Sequence, residues 1–399
     1  MRILFHGPGV VTYRPKLSFP ITIGVQPTNV TTINGLRATH AITGNRGNLI
    51  HAEAPARIFE KSGPHSCYAN IAGLLNAFGD GFSDRLASRF DVIVISMANF
   101  IRPTHDGAEL FRALKALDGK VKFVVLGAGL QGSHPLSSMT QGNRDLLAIM
   151  NEQAAVFGLR GERTAEWLHQ SGFHNGTVVG CPSLFSYPES ILSLSYDAAL
   201  AKGSNLDVMT AGHLSFHGQH LDPRGVKLAN AFAGIKAAYV MQDEIFGYGA
   251  LLDTPGIYHD GASTLDAKTI NSYLNDRTGL PFDFHRHYYF NEAGAWRQAA
   301  LRHDIFIGDR FHGGVAALQG GIPAIFLSQD NRVAELTEYF ALPALSTAKF
   351  TELGLEETMK TFLTPESLAK TKARYRERHA HFAEVMGRHG LKVARTLPN

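Results

Sequence analysis

Cysteine is nearly missing from this chain: Cys67 and Cys181 stand far apart and in no metal-ligand spacing. That excludes a disulfide framework and fits a reducing compartment. Charge is scarce and balanced, 18% of residues with a net of +3, so the balance alone asks for no polyanionic partner such as nucleic acid. No apolar run approaches the roughly 20 residues that a membrane-spanning helix needs. The start, MRILFHGPGVV, is broken by His6, Gly7 and Pro8 and is expected not to be a secretory signal. A soluble, cytoplasmic protein is the expectation, with peripheral contact on the inner membrane face left open. Also missing are HExxH, GxSxG, CxxC and the GxxxxGK phosphate loop, so zinc-protease, α/β-hydrolase, thiol-redox and P-loop chemistries lack their signatures.

What is present is apolar material for two cores. At 399 residues and 44% hydrophobic, the chain is too long for one ordinary core. Continuous apolar runs at Asp91–Ser96 and Val121–Leu126 fit parallel strands buried on both faces. Ile3–His6, Ala154–Gly158 and Thr177–Gly180 add shorter strands. Helical patterns at Leu49–Phe59, Ala108–Leu117 and Glu162–Ser171 alternate with them, which argues for βαβ units. Thr12–His40 reads as loop or irregular strand. After the irregular stretch Cys181–Lys202 the alternation restarts with Leu206–Thr210, a helix near Val226–Gly234 and a strand at Ala238–Gln242. The expected architecture is α/β: two Rossmann-like domains facing a cleft (GT-B-like), residues 1–185 and 186–362, with a C-terminal helix in 363–399. That last segment holds eight Lys or Arg against three Glu. Its Leu368, Tyr375, Phe382 and Met386 form one apolar stripe, so packing on the body is favoured over a lipid-facing role.

The most informative stretch is Asp304–Leu336. An apolar strand, Ile305–Ile307, leads into Arg310 and His312, then a small-residue helix, Gly313–Gln319, a Gly-Gly-Ile-Pro turn and a strand, Ala324–Leu327. Ligands of open α/β sheets bind outside the carboxyl ends of strands. A guanidinium, an imidazole and a glycine-rich helix start placed there suit an anionic ligand. The plainer alternative pairs Arg310 with a nearby carboxylate such as Asp309 and has His312 cap a backbone group.

Other candidates are weaker alone. Arg160 precedes a helix at a strand end and reads as a second anion ligand, while Arg163 next to it is equally at home in solvent. Gly127–Gly132 matches GxGxxG, but Ser133, His134 and Pro135 separate it from the next helix. It reads as a flexible glycine loop with Gly129 and Gln131 on the cleft, and no dinucleotide site is expected. Gly44–Asn48 supplies Asn45 and Asn48, where Asn48 also suits a helix N-cap. Gln242 and Glu244 end a strand. Asp330, Arg332 and Glu335 follow the last core strand and fit either a surface ion-pair set or the cleft.

Taken together, IGDRFHGGVAALQGGIPAIFLSQDNRVAEL resembles the carboxyl-terminal signature of the polysaccharide pyruvyl transferase family. Asp330, Arg332, Glu335 and Leu336 match its continuing Asp-x-Arg-x-x-Glu-Leu pattern. FGLRGERTAEWLHQSGFHNGTVVGCPSL resembles the family's mid-chain block through Arg160, Thr164, Gly172, Gly180 and Pro182. Gly161 and Cys181 stand where the family usually has Asp. GNRGN resembles its Asn-x-Gly-Asp turn, with Asn48 in place of Asp. The resemblance implies transfer of the enolpyruvyl unit of phosphoenolpyruvate to two hydroxyls of a saccharide, giving a pyruvate ketal and phosphate in exopolysaccharide or cell-surface glycan biosynthesis. It makes Arg310, His312 and Arg160 the donor-site candidates. No cofactor or metal is expected, and the acceptor is a saccharide, with a lipid-linked form left open. His312 fits a general acid because an unperturbed imidazole titrates near working pH. Two other readings stay open: a GT-B glycosyltransferase using a nucleotide sugar, and a non-catalytic saccharide- or anion-binding protein.

Overall fold

A computed structural model describes residues 1–6, 30–39, 45–60, 66–394 and 397. Most of the expected Thr12–His40 loop and Gly44 lie outside the described residues.

Two sheets organise the chain. The first holds β1 (Ile3–His6), β2 (Cys67–Tyr68), β3 (Val92–Ser96), β4 (Lys122–Ala128), β5 (Val156–Leu159) and β6 (Gly176–Val178), in the order β2-β1-β3-β4-β5-β6 and parallel throughout. Every residue of β3 is buried, as a strand covered by helices on both faces must be. The second holds β7 (Val208–Thr210), β10 (Ala237–Val240), β11 (Tyr258–His259), β12 (Thr264–Leu265), β13 (Arg286–Tyr288), β14 (Ile305–Gly308), β15 (Ala324–Leu327) and β16 (Ala344–Leu345). A small hairpin, β8 (Phe216–His217) with β9 (His220–Leu221), stands apart. The second sheet runs β11-β12-β13-β10-β7-β14-β15-β16. Its parallel part, from β13 to β16, has the strand order of dinucleotide-binding sheets, while β11 and β12 add an antiparallel edge. The fold is therefore α/β, two Rossmann-like sheets facing a cleft.

In such sheets the strand order reverses at one point, and the crevice there is the ligand site. In the first sheet the reversal falls between β1 and β3; in the second, between β7 and β14. His6 and Ser96–Asn99 end the first pair; Ala211–His213 and Asp309–Arg310 end the second. Both ends open on the same cleft.

Several elements differ from expectation. The helix expected from Leu49 begins at Gly47, with Arg46 at the cap position, so Asn48 lies inside the helix and is not its N-cap. Asn45 does that work: its Oδ1 accepts from the Gly47 amide at 2.9 Å. Pro55 sits within this helix and cannot donate to the His51 carbonyl. The Ser96 hydroxyl donates to that carbonyl instead, at 3.2 Å, which ties the helix to the end of β3. The segment Gly127–Gly132 is not a flexible loop. Strand β4 runs through Ala128, and backbone bonds continue the ladder through Gly129 and Gln131 to Ala98 and Ile101.

The C-terminal helix, Pro365–Arg388, starts at a Thr364 cap and turns Tyr375, Phe382 and Met386 into the core. Tyr375 donates to the Leu184 carbonyl at 2.9 Å. Among the described residues, no helix is long and apolar enough to cross a membrane.

Candidate functional site

The cavity where the two reversals meet is lined by Arg160, Arg310, His312 and Arg332, with Asn45, His51, Asn99, Cys181, His213 and Gln242 completing its walls. These residues come from both sheets, so neither half of the chain holds the site alone.

Arg310 follows β14 by two residues and stands at the cap position of the helix Phe311–Gln319. Its Nε donates to the Gly212 carbonyl at 2.6 Å, and Nη2 donates to Asp243 Oδ1 at 2.8 Å and Glu244 Oε2 at 3.3 Å. The carboxylate partner is thus not Asp309, which binds Arg224 at 3.0 Å. Burial works against the Arg310 charge, but Glu244 and Asp243 more than offset it and hold its pKa up. Burial pushes Glu244 up to about 7 despite Arg310. The Tyr239 hydroxyl donates to Glu244 at 2.7 Å, so the guanidinium rests on a fixed buried layer.

Arg160 follows β5 and crosses the cleft. Its Nε donates to Glu335 Oε2 at 2.8 Å, with both side chains about 5% exposed or less. Asn99 Oδ1 and the Leu130 carbonyl accept from its two terminal nitrogens. Burial lowers its pKa, and Glu335 opposes that fall. Glu335 also accepts from the Thr164 amide at 2.7 Å. Gly129 lies directly beneath: a Cβ there would come 2.3 Å from the guanidinium. The glycine is needed for this close approach and for no phosphate loop.

His312 projects from the first turn of its helix, partly open to the cavity, and among the described residues it caps no backbone group. Burial first, then His51, Arg160 and Arg332, push its pKa well below the ordinary value. The ring is neutral at neutral pH, which corrects the expectation of an unperturbed imidazole. His213 is driven to about 2 by burial and by Arg310, Arg224 and Arg332.

The remaining candidates divide. Asn45 and Gln242 line the cavity, where Gln242 Oε1 accepts from the Gly47 amide at 3.2 Å. Asn48 and Gln131 line the wider cleft outside it, Gln131 held by Arg102 at 3.2 Å. Glu244 sits behind Arg310. Asp330 caps the helix Asn331–Phe340 and binds Arg332 at 2.7 Å and Arg224 at 3.1 Å. Burial resists its charge, but those two arginines outweigh it and hold its pKa below the carboxylate range. Arg163 is not part of the cavity. It bonds Asn331 and Glu338, both at 3.1 Å, on a half-exposed outer face, the solvent-facing alternative for this residue.

Sequence reasoning missed His51, Asn99, His213 and Arg224. Nothing local marks them, because each comes from a different element. Cys181 carried one signal, standing in place of a family Asp. Every arginine around the cavity is already paired, so its guanidinium is oriented in advance. An incoming anion would use the N–H edges left facing the cavity.

Comparison with known proteins adds the following. The family model described as polysaccharide pyruvyl transferase matches residues 45–331. Among curated proteins no sequence matches. Among solved structures, UDP-GlcNAc 2-epimerase from Neisseria meningitidis bound to UDP-GlcNAc is 12% identical, covers 80% of this chain and 82% of its own, and has a TM-score of 0.44. Anabaena HepE in complex with UDP is 13% identical, covers 96% and 95%, and has a TM-score of 0.44. A putative UDP-N-acetylglucosamine 2-epimerase from Listeria monocytogenes is 13% identical, covers 81% of each chain, and has a TM-score of 0.45. These are loose likenesses of overall shape.

Proposed function

This chain belongs to the polysaccharide pyruvyl transferase family, and from that premise we propose that it takes the pyruvyl unit from phosphoenolpyruvate and leaves it as a ketal on two saccharide hydroxyls. The observation that carries the reading is the convergence of Arg160, Arg310, Arg332 and His312 on one cavity at two sheet reversals. Phosphoenolpyruvate carries a carboxylate and a phosphate, and guanidinium forks bind both groups strongly and in a fixed orientation. The amide-rich outer cleft, with Asn45, Asn48, Asn70 and Gln131, suits saccharide hydroxyls.

In the proposed sequence His312 donates a proton to the methylene carbon, and positive character builds at the carbon bearing phosphate. The first sugar hydroxyl adds there, and its proton restores His312. The second hydroxyl displaces phosphate, which departs with the second proton. Arginines balance the charge of the leaving group. Because His312 is neutral in the free protein, the donor itself must supply the bias. Its negative charges offset Arg160 and Arg332, raise the imidazole pKa and load the acid only when there is something to protonate.

The test is calorimetric titration with phosphoenolpyruvate, beside UDP and GDP, on wild type and Arg310→Ala, in two buffers of different ionisation enthalpy. Expected are binding of phosphoenolpyruvate alone, with proton uptake, and its loss in the variant. His312→Ala should keep binding and lose turnover by about 10²–10⁴-fold, the usual worth of a general acid. Binding of UDP in place of phosphoenolpyruvate would replace this reading with a nucleotide-sugar transferase. Tight donor binding with no phosphate release from any acceptor would leave a binding protein.

A further inference from the structure

Two side chains of the cavity have no task in the chemistry above. His51 comes from the helix Gly47–Ile58, and Cys181 precedes the short turn Pro182–Phe185. His51 Nδ1 and His312 Nε2 each lie 3.7 Å from Cys181 Sγ. We propose that these three atoms form a binding site for a thiophilic divalent cation of the zinc class, which on binding occupies His312 and halts the transfer. The site stands on its own geometry; only the halt rests on the reading of His312 as acid.

Three observations support the site. A tetrahedral zinc with a bond of about 2.3 Å to sulfur and about 2.05 Å to nitrogen sets sulfur and nitrogen about 3.6 Å apart. Both observed distances match, and all three ligand atoms lie within 4.8 Å of one another. The His51 Nε2 atom is 2.8 Å from the Met97 carbonyl, so that nitrogen carries the ring proton and Nδ1 presents its lone pair. Such a backbone contact is the usual device that orients a metal-bound histidine. The thiol, lastly, has one proton for three polar neighbours, the Ser183 hydroxyl at 2.9 Å and the two imidazoles at 3.7 Å, so at most one imidazole can receive it.

The surroundings work in both directions. Burial keeps both imidazoles neutral, their ligating form. Burial also pushes the Cys181 thiol up, and Arg160 and Arg332 face the same cavity. The cation's own charge offsets these, as coordination replaces the S–H bond by an S–metal bond and releases the proton to solvent. Three protein ligands leave a fourth position toward the cavity, as in reactive rather than structural zinc sites.

The experiment is titration of the metal-free full-length protein with Co²⁺, followed by the sulfur-to-metal charge-transfer absorption, then displacement by Zn²⁺ with Tm recorded. Expected are one equivalent of thiolate-bound cobalt, its displacement by zinc, and a raised Tm. The band should vanish in Cys181→Ala, weaken at least ~10-fold in affinity in His51→Gln, and persist in Cys67→Ser, which removes the exposed thiol. Absence of the band in wild type, or its dependence on Cys67, overturns the site. Stoichiometric zinc that leaves turnover unchanged overturns the halt and keeps the site. Failure of the protein to bind phosphoenolpyruvate would leave the cobalt band readable, so the two proposals fail separately.

Discussion

His6, His51, His213, His287 and His312 are all held neutral by burial, with pKa values of about 4 for His6 and His51, about 3 for His287, about 2 for His213, and well below the ordinary value for His312. In the unfolded chain each titrates near pH 6.5. Below that value the unfolded state binds protons that the folded state refuses, so stability is full above about pH 6.5 and falls as pH drops. Each histidine contributes a loss of about 1.4 kcal/mol per pH unit until its folded pKa is reached. Glu244, raised to about 7, pulls the other way as pH falls, but five histidines outweigh one carboxyl and the net change is a loss of stability. The urea midpoint should therefore fall steeply between pH 7 and 5; a flat midpoint would mean these rings reach water. The same scale shows why the site was only partly legible. Arg310 and His312 lie two residues apart after an apolar run, so their place at a strand end could be read directly. Arg160 was readable as a second anion ligand from its own strand end and from the family resemblance, whereas His51 and Cys181 meet the others only through folding, and their separation in sequence gave no hint of the meeting.

The C-terminal helix shows how far a single element can be read. The apolar stripe on Pro365–Arg388 faces inward, where Phe382 stacks on Phe185 with ring centroids 4.5 Å apart and on Phe59 at 6.0 Å. Phe382→Ala should cost about 3–5 kcal/mol, as truncations of buried aromatics do, read as a lowered denaturant midpoint with unchanged slope. A loss under about 1 kcal/mol would mean the helix is only loosely docked. The strands β3, β4 and β14 were readable because burial on both faces leaves continuous apolar runs. The two-residue strands β11, β12 and β16 were not, since two residues carry no periodicity. The helix expected over Leu49–Phe59 runs through Pro55, where the usual rule would end it, because Ser96 replaces the lost donor and the helix continues to Ile58.

At the scale of the whole molecule, the two sheets are joined by more than a chain crossing. Arg160 reaches Glu335, Arg297 reaches Glu53 at 3.1 Å, and Gln319 donates to the Ser183 carbonyl at 2.7 Å. One continuous apolar cluster includes Val94 and Val124 of the first sheet, Val240 and Phe306 of the second, and Tyr375 and Phe382 of the last helix. Two sheets with separate cores would melt as two units. A shared core removes that independence, because neither half can open without exposing the inner face of the other. Scanning calorimetry should then show a single endotherm whose calorimetric and van't Hoff enthalpies agree, and two resolved peaks would contradict the shared core. For the cell this makes partial damage total: a lesion that loosens one sheet hands the entire chain, active cleft included, to proteolysis at once.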